Sequence, residues 1–351
     1  MRLFKKSSVV ALVVCLFMLS MVVAGCGGNE QSGQSGEQAQ TPEPVEWIAN
    51  SVWPADNLQC VALQEFADRA KEETNGKVQI TVKSGGALGY KGPELLKAVR
   101  DGLVPISSMV ITQAAGDEKI FGVVSLPFLT RNYDEAKKLS EIARPYFDKA
   151  CEEKWNQKIL LMSPWPPAAL WTQKKVDSVD DMQNLKVRTY DKNGALVVEA
   201  TGGTPYPLPF SEVYSALATG TIDSVITSTV TAVDGKFWEV LKYHAPINIT
   251  TTLELFTINL DEFNKLDKET QNTLLEIGKE IEAEMWDKVA KIDEEQKQIC
   301  NENGITTVEP SEEFMDELAS ITKNIREDWL KEAPPEAKEI VEKFRAEVGR
   351  E

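Results

Sequence analysis

The sequence predicts an α/β protein of two lobes, with one long helix crossing both. Short apolar runs rich in β-branched residues alternate with amphipathic stretches, which is the pattern of strands and covering helices in α/β proteins. This pattern occurs twice, and it is followed by a single apolar stripe of helical period. The chain has 351 residues, which is enough for two lobes of ordinary size. A ligand cleft is expected at the carboxyl ends of the strands.

The N-terminal region predicts secretion and a membrane anchor. Basic residues precede an uncharged apolar run from Ser7 to Ala24, so residues 1–25 have the layout of a signal peptide. The run ends in Gly25-Cys26, which resembles a bacterial lipobox and disfavours a plain transmembrane anchor. Residues 26–44 are rich in Gly, Ser, Gln and Glu and predict a flexible tether. We expect a lipid on Cys26 to hold the protein at the outer face of the cytoplasmic membrane, periplasmic or extracellular.

Composition excludes several functional classes. The chain carries 38 basic and 55 acidic residues, a formal net charge of −17, so no nucleic-acid partner is expected. Cys60, Cys151 and Cys300 are widely spaced, which predicts buried thiols and no disulfide framework. The single histidine, His244, cannot form a multi-histidine metal site, and we expect it to be structural. No metal and no cofactor are predicted.

The first lobe is predicted over residues 45–165, together with about residues 253–265. Proline at the first turn and glycine just beyond the last turn delimit one of its covering helices. Its predicted elements are a strand at Val45–Ala49, a helix near Leu58–Thr74, a strand at Val78–Val82, a helix near Pro93–Arg100, and strands at Val104–Ile111 and Lys158–Met162.

The second lobe is predicted over residues 166–252, where the alternation of strand and helix returns. Its predicted elements are a strand at Lys186–Arg188, a helix near Leu196–Thr201, a strand at Thr204–Pro207, a helix near Glu212–Thr219 and a strand at Ser224–Ile226.

Residues 266–303 predict one spine helix. Apolar residues recur there at spacings of three, four or seven, from a cap at Asp267 to a stop at Asn303-Gly304. Such a helix is roughly 50 Å long, and a lobe of about 100 residues has a radius of gyration of only about 13 Å. The helix is therefore expected to cross both lobes. Residues 304–351 are charged and predict helices that cover the surface.

Six segments carry a resemblance to a known family. They are FADRAKEETNGKVQITV, SGGALG at Ser84–Gly89, ELLKAVRDG at Glu94–Gly102, SLPFL at Ser125–Leu129, NLKVR at Asn184–Arg188 and PFSEVYSALATGTID at Pro209–Asp223. In this order they resemble the DctP family, the extracytoplasmic solute receptors of TRAP transporters, here in lipoprotein form. The resemblance implies a type II periplasmic-binding-protein-like fold that closes over a small organic carboxylate. It also implies TRAP membrane subunits as partners and no catalysis, and we expect a monomer.

Arg188 is the first candidate ligand-binding residue. The arginine of the segment Lys186-Val187-Arg188 matches the family arginine that forms a two-pronged salt bridge with the substrate carboxylate. A planar guanidinium offers paired donors that match a carboxylate, and each charge-assisted bond contributes roughly 1.5–3 kcal/mol. The alternative is a surface arginine paired with a neighbouring acid.

Two further candidates come from the same resemblance. Thr227 stands where related receptors commonly carry asparagine, and a threonine hydroxyl can still donate one hydrogen bond. Phe210 matches a position that packs on the ligand, although an aromatic residue at this place can also be a hydrophobic staple.

Departures from the family pattern remove charge from the expected pocket. Tyr90 stands where sugar-acid receptors often carry an acid, Val110 and Gln113 replace charged residues, and Ala168 stands where a second arginine often lies. Tyr90 and Gln113 are therefore taken as candidate ligand contacts in an uncharged wall.

Three tryptophans lie near the predicted cleft. Trp53 follows the first strand, and Trp165 and Trp171 flank the point where the chain enters the second lobe. Their rings could enclose a planar ligand, since each ring pair contributes roughly 0.5–1.5 kcal/mol; the alternative is packing in the core or hinge. We therefore hypothesise an aromatic or otherwise hydrophobic monocarboxylate as ligand.

Three rival functions remain open at this point. They are a binding lipoprotein of an ATP-driven importer, a secreted enzyme with paired carboxylates, and a tethered partner that reports the ligand to a receptor kinase. Acidic runs such as Asp293-Glu294-Glu295 lie on helix faces and are more typical of a solvated face than of an active site.

Overall fold

The structure is a computed structural model that describes residues 44–350. The predicted signal peptide, Cys26 and almost all of the tether lie outside the described residues. The strands are β1 (Val45–Asn50), β2 (Val78–Lys83), β3 (Ile106–Val110), β4 (Gln157–Pro164), β5 (Ala168–Thr172), β6 (Lys186–Thr189), β7 (Thr204–Pro207), β8 (Ser224–Thr227), β9 (Tyr243–Thr250), β10 (Leu253–Asn259) and β11 (Thr306–Thr307). The α-helices are α1 (Leu58–Glu73), α2 (Leu95–Arg100), α3 (Tyr133–Trp155), α4 (Lys192–Ala200), α5 (Phe210–Ala218), α6 (Thr229–Asp234), α7 (Leu260–Asn264), α8 (Lys268–Glu302), α9 (Glu312–Glu332) and α10 (Pro335–Glu347).

The first lobe is built on a five-stranded sheet with the order β2-β1-β3-β10-β4. Strand β1 is parallel to β2 and β3, whereas β10 is antiparallel to β3 and β4. Buried side chains cover both faces: Phe66 of α1 lies on one, and Phe147 of α3 lies on the other. Strand β10 therefore inserts a segment distant in sequence between β3 and β4.

The second lobe is built on a sheet with the order β11-β9-β5-β8-β6-β7. Strands β6 and β8 are parallel neighbours, and β5 runs antiparallel between β8 and β9. Val197 of α4 belongs to one of its cores, and Val213 of α5 belongs to the other. The two sheets confirm the predicted two-lobed α/β fold.

Helix α8 is the predicted spine and has 35 residues. The Asp267 side chain caps it by accepting a hydrogen bond of 2.9 Å from the backbone N–H of Thr270. Leu274 is buried in the core of the first lobe, and Cys300, near the other end, is buried in the core of the second lobe. The helix therefore crosses both lobes, as the length of the apolar stripe predicts.

The C-terminal segment contributes more than a surface cover. Strand β11 joins the second sheet beside β9, Phe314 of α9 is buried in the second lobe, and Phe344 of α10 is fully buried in the first. Each helix covers its lobe with a buried apolar face, and strand β11 is an element that the expectation of covering helices did not include. Among residues 44–350, no helix combines the length and the apolarity that crossing a bilayer requires.

Asp293 also departs from the expectation of a solvated acidic face. Glu294 and Glu295 are exposed, but Asp293 is half-buried. It accepts hydrogen bonds of 2.7 Å from the Tyr133 hydroxyl and 2.6 Å from the Thr229 hydroxyl. The carboxylate thus ties the spine helix to α3 and to α6, so its role is structural.

Candidate functional site

One small cavity lies between the lobes, with a volume of about 30 Å³. Its lining brings together five of the residues predicted to contact the ligand, and it adds seven more. The lining comprises Trp53, Val110, Gln113, Trp165, Pro166, Ala168, Arg188, Tyr190, Thr227, Ser228, Thr231 and Thr252. Arg188 is the only charged residue in this lining.

Arg188 is held on β6 with 2% of its surface exposed. Its Nε donates a hydrogen bond of 2.9 Å to the carbonyl oxygen of Leu208, and no carboxylate of residues 44–350 lies within 4.0 Å of the guanidinium. Burial lowers the pKa of Arg188 to about 10, partly offset by Tyr190 and Asp191, so the group stays charged at neutral pH. Burial of a cation without an ion-pair partner costs free energy, so binding of an anionic ligand beside it is favoured.

Gln113 and Thr227 supply neutral polar groups beside the guanidinium. Neither side chain has a hydrogen-bond partner among the described residues, so both remain available to a ligand. The amide of Gln113 rests against Gly92, where an added Cβ would lie 1.8 Å from the Gln113 Oε1. Glycine at position 92 therefore permits this placement of Gln113, a dependence that the sequence does not reveal.

Two tryptophans form an aromatic wall of the cavity. The ring centroids of Trp53 and Trp165 lie 4.8 Å apart, with the planes tilted by 58°. Their indole N–H groups donate hydrogen bonds of 3.0 Å each to the two carboxylate oxygens of Glu254 on β10. Burial raises the pKa of Glu254 to about 7, and the two indole hydrogen bonds oppose this rise. Sequence reasoning missed Glu254, although a single acid within the otherwise uncharged run Leu253–Asn259 is a usable signal.

Three predicted contacts lie outside the cavity lining. Phe210 contacts Trp53, with 5.2 Å between ring centroids and the planes tilted by 48°, and Tyr90 is partly buried against the core of the first lobe. Trp171 is fully buried in the second lobe, where it stacks on His244 at 4.1 Å. These positions differ from the expected direct contacts: Tyr90 and Trp171 pack within their own lobes, whereas Phe210 packs against Trp53 of the opposite lobe.

Trp171 nevertheless contacts the site indirectly, through the backbone of Thr227. Its indole N–H donates a hydrogen bond of 3.0 Å to the carbonyl oxygen of Thr227, which positions the end of β8. Burial lowers the pKa of the stacked His244 to about 4, so its imidazole is neutral at physiological pH. Both residues therefore act structurally.

Most hydroxyl groups of the lining are already hydrogen bonded within the protein. The Tyr190 hydroxyl lies 2.8 Å from that of Thr250, and the Thr252 hydroxyl lies 3.2 Å from that of Thr112. The hydroxyls of Ser228 and Thr231 form a further pair at 3.1 Å. The walls are therefore neutral, and few of their polar groups are free to bind additional ligand hydroxyls.

Contacts between the lobes hold the cavity closed. The Lys91 ammonium lies 2.6 Å from the Glu212 carboxylate, and the Asn57 amide donates a hydrogen bond of 2.6 Å to Asp234. A bulky ligand would keep these partners apart, so closure of this kind favours a small ligand.

Within residues 44–350, no cluster of three or more His, Cys, Asp or Glu side chains has the arrangement of a metal site.

Comparisons with known proteins bear on this site. The model of the family DctP, described as bacterial extracellular solute-binding protein, family 7, matches residues 49–333. The 2,3-diketo-L-gulonate-binding periplasmic protein YiaO of Escherichia coli is 27% identical over 227 residues, which covers 63% of this chain and 68% of YiaO.

Two solved structures are similar over nearly their whole length. One is DctP7, a Bordetella pertussis extracytoplasmic solute receptor binding pyroglutamic acid, with 27% identity, a TM-score of 0.82, and coverage of 86% of this chain and 99% of that chain. The other is a marine metagenome TRAP solute binding protein specific for pyroglutamate, with 28% identity, a TM-score of 0.82 and the same coverage of 86% and 99%.

Proposed function

Because the chain belongs to the DctP family of bacterial extracellular solute-binding proteins, we propose that it captures a small organic monocarboxylate through Arg188. Members of this family are substrate-binding receptors of TRAP transporters and are not enzymes. They bind small organic acids in the periplasm or outside the cell and work with membrane subunits of the transporter. Membership of this family therefore favours the function of a TRAP receptor over that of a binding protein of an ATP-driven importer and over that of a secreted enzyme.

The observation that carries the proposal is the unpaired guanidinium. Arg188 faces the cavity with one backbone hydrogen bond at Nε and no carboxylate of the described protein within 4.0 Å. A ligand carboxylate supplies the missing charge, and two parallel hydrogen bonds repay the burial of both ions. Closure of the lobes then excludes water, and the membrane subunits select the closed form.

The cavity walls favour an acid whose remaining part is small, uncharged and ring-bearing. Trp53 and Trp165 offer aromatic faces, and Gln113 and Thr227 can bind one or two polar groups such as a ring amide. The pyroglutamate receptors that resemble this chain agree with such a ligand. Aromatic and hydrophobic monocarboxylates belong to the same proposed class.

A sugar acid is the second candidate. YiaO, a relative of this chain, binds 2,3-diketo-L-gulonate. Each buried ligand hydroxyl needs a partner, however, and the hydroxyls of Tyr190, Thr252 and Ser228 are already engaged within the protein. The ring-bearing acid is therefore preferred.

Calorimetric titration of ligand-free protein tests the proposal. Pyroglutamate and phenylacetate should bind more tightly than succinate and L-gulonate. The neutral 2-pyrrolidinone, which differs from pyroglutamate in lacking the carboxylate, should bind at least about 100-fold more weakly, since two charge-assisted hydrogen bonds are lost. Equal affinity for 2-pyrrolidinone would contradict the carboxylate anchor, and a preference for succinate or gulonate would contradict the proposed ligand class.

We also propose that a lipid on Cys26 anchors the receptor, as a monomer, to the outer face of the cytoplasmic membrane. The signal-like start and the small residues before Cys26 support this proposal. The full chain expressed in a bacterium should fractionate with membranes and incorporate labelled palmitate, whereas Cys26→Ala should not incorporate the label. Incorporation that persists in Cys26→Ala would contradict the assignment, and light scattering of the detergent-solubilised chain would test the monomer.

A further inference from the structure

Glu254 occupies an unusual position for a carboxylate. It lies on an interior strand of the first sheet, paired with Val110 on one side and Ser163 on the other, and its exposed surface is 0%. No basic group among the described residues lies within 4.0 Å of it. A buried carboxylate without a cation costs free energy, so its presence calls for specific hydrogen bonds in compensation.

The compensation comes from both tryptophans of the aromatic wall. Oε1 accepts the indole N–H of Trp53 and Oε2 accepts that of Trp165, each at 3.0 Å. An ionised carboxylate has two acceptor oxygens and no donor, so it can hold two indole N–H groups at once. Glutamine would offer one acceptor and would turn an N–H₂ group toward the second indole.

The two hydrogen bonds determine the orientation of the wall. Each indole ring is held at its nitrogen, and both rings line the cavity. Trp53 also contacts Phe210 of the second lobe, with 5.2 Å between ring centroids. The orientation of Trp53 therefore sets the surface on which the second lobe closes.

We propose that Glu254 is a positioning residue for ligand selectivity: by holding the indole N–H groups of Trp53 and Trp165, it directs both ring faces to the cavity and selects ring-bearing acids over open-chain acids. The inference rests on the proposed function, because it assumes that the cavity receives a carboxylate. Glu254 does not line the cavity, so it acts on the ligand only through the two rings.

The test compares Glu254→Gln with a matched control. Glu262 also accepts an indole N–H, that of Trp47 at 3.3 Å, but neither residue lines the cavity. Calorimetry would compare the wild type, Glu254→Gln and Glu262→Gln, using pyroglutamate as the ring acid and N-acetylglycine as an open-chain acid with the same amide and carboxylate groups.

Glu254→Gln should weaken binding of pyroglutamate about 10-fold or more, and binding of N-acetylglycine less than about three-fold. Glu262→Gln should change neither affinity. Equal losses for both acids in Glu254→Gln would overturn the selectivity role, because they would indicate general damage to the site.

Nuclear magnetic resonance supplies a readout that does not depend on the ligand. In protein labelled with ¹⁵N at tryptophan, the indole N–H signals of Trp53 and Trp165 are assigned through Trp53→Phe and Trp165→Phe. Glu254→Gln should shift at least one of them and accelerate its exchange with water, whereas Glu262→Gln should affect only Trp47. If the wild type bound no carboxylate, the proposed function would fail, whereas unchanged indole signals in Glu254→Gln would overturn the positioning role separately.

Discussion

The side-chain amide of Asn57 donates a hydrogen bond of 2.6 Å to the carboxylate of Asp234 and so joins the two lobes. Asn57 is also the N-cap of α1, where its oxygen accepts the backbone N–H of Gln59 at 2.7 Å. One side chain thus both begins a helix of the first lobe and holds the last residue of α6 in the second. The closed form of the receptor depends on such contacts between lobes.

Asn57→Asp should weaken ligand binding about five- to ten-fold. The new carboxylate still caps α1, because Asp is as good an N-cap as Asn, but it loses the donor and faces Asp234 with a like charge. The closed form is therefore less populated, which lowers apparent affinity. Asn132→Asp is the matched control, since Asn132 caps α3 through the backbone N–H of Glu135 and has no partner in the other lobe. Calorimetry would check this, and equal effects of the two variants would argue against a role in closure.

Arg188→Ala should weaken carboxylate binding by about 100-fold or more, because two charge-assisted hydrogen bonds are lost. A cooperative thermal transition should remain, since the arginine forms no ion pair within the described protein. Arg326→Ala is the control, because Arg326 likewise donates to a backbone carbonyl, that of Pro127 at 2.6 Å, away from the cavity. Calorimetric titration would measure the affinity of both variants for the carboxylate, and tight binding by Arg188→Ala would contradict the assignment of Arg188 as the anchor.

The single histidine should remain neutral until the pH approaches 4. Burial lowers the pKa of His244 to about 4 from 6.5, with a smaller contribution from Lys297. The unfolded chain binds a proton first, so this contribution to stability is present above pH 6.5 and is lost as the pH falls toward 4, by about 1–3 kcal/mol.

Nuclear magnetic resonance of untagged protein would follow this titration directly, because the sequence contains only one histidine. His244→Gln should remove the corresponding part of the pH dependence of the free energy of unfolding. A midpoint near 6.5 in the folded protein would show that the imidazole is accessible to water.

Gly278→Ala should destabilise the fold by about 1–3 kcal/mol. Alanine normally stabilises a helix relative to glycine, but a Cβ at position 278 would lie 2.1 Å from the carbonyl oxygen of Leu160, a backbone atom of β4. Gly116→Ala is the control, since a Cβ there meets nothing within 4 Å. Urea unfolding would compare the two, and a stabilised Gly278→Ala would mean that α8 is less closely packed on the first sheet.

Local patterns were sufficient for much of the architecture. The stripe of apolar residues that begins after Asp267 predicted the spine helix, because apolar residues with a helical period over so many positions are typical of one long helix. The family resemblance of the segment around Arg188, and the departures from that family at uncharged positions, predicted a charged anchor in a neutral setting. Helix α3 was missed, since Pro145 and many charged residues interrupt its pattern.

The sequence by itself therefore predicted the two lobes and the spine helix, since both follow from patterns along the chain, whereas the candidate arginine came from the resemblance of the segment Lys186-Val187-Arg188 to the family. Only the tertiary structure decided which tryptophans meet the cavity: Trp53 and Trp165 do, whereas Trp171 is buried against His244. It also brought Glu254 to both indoles, across sequence separations of 201 and 89 residues. No local pattern encodes such contacts, because they depend on how distant strands pair and on which face each side chain then occupies.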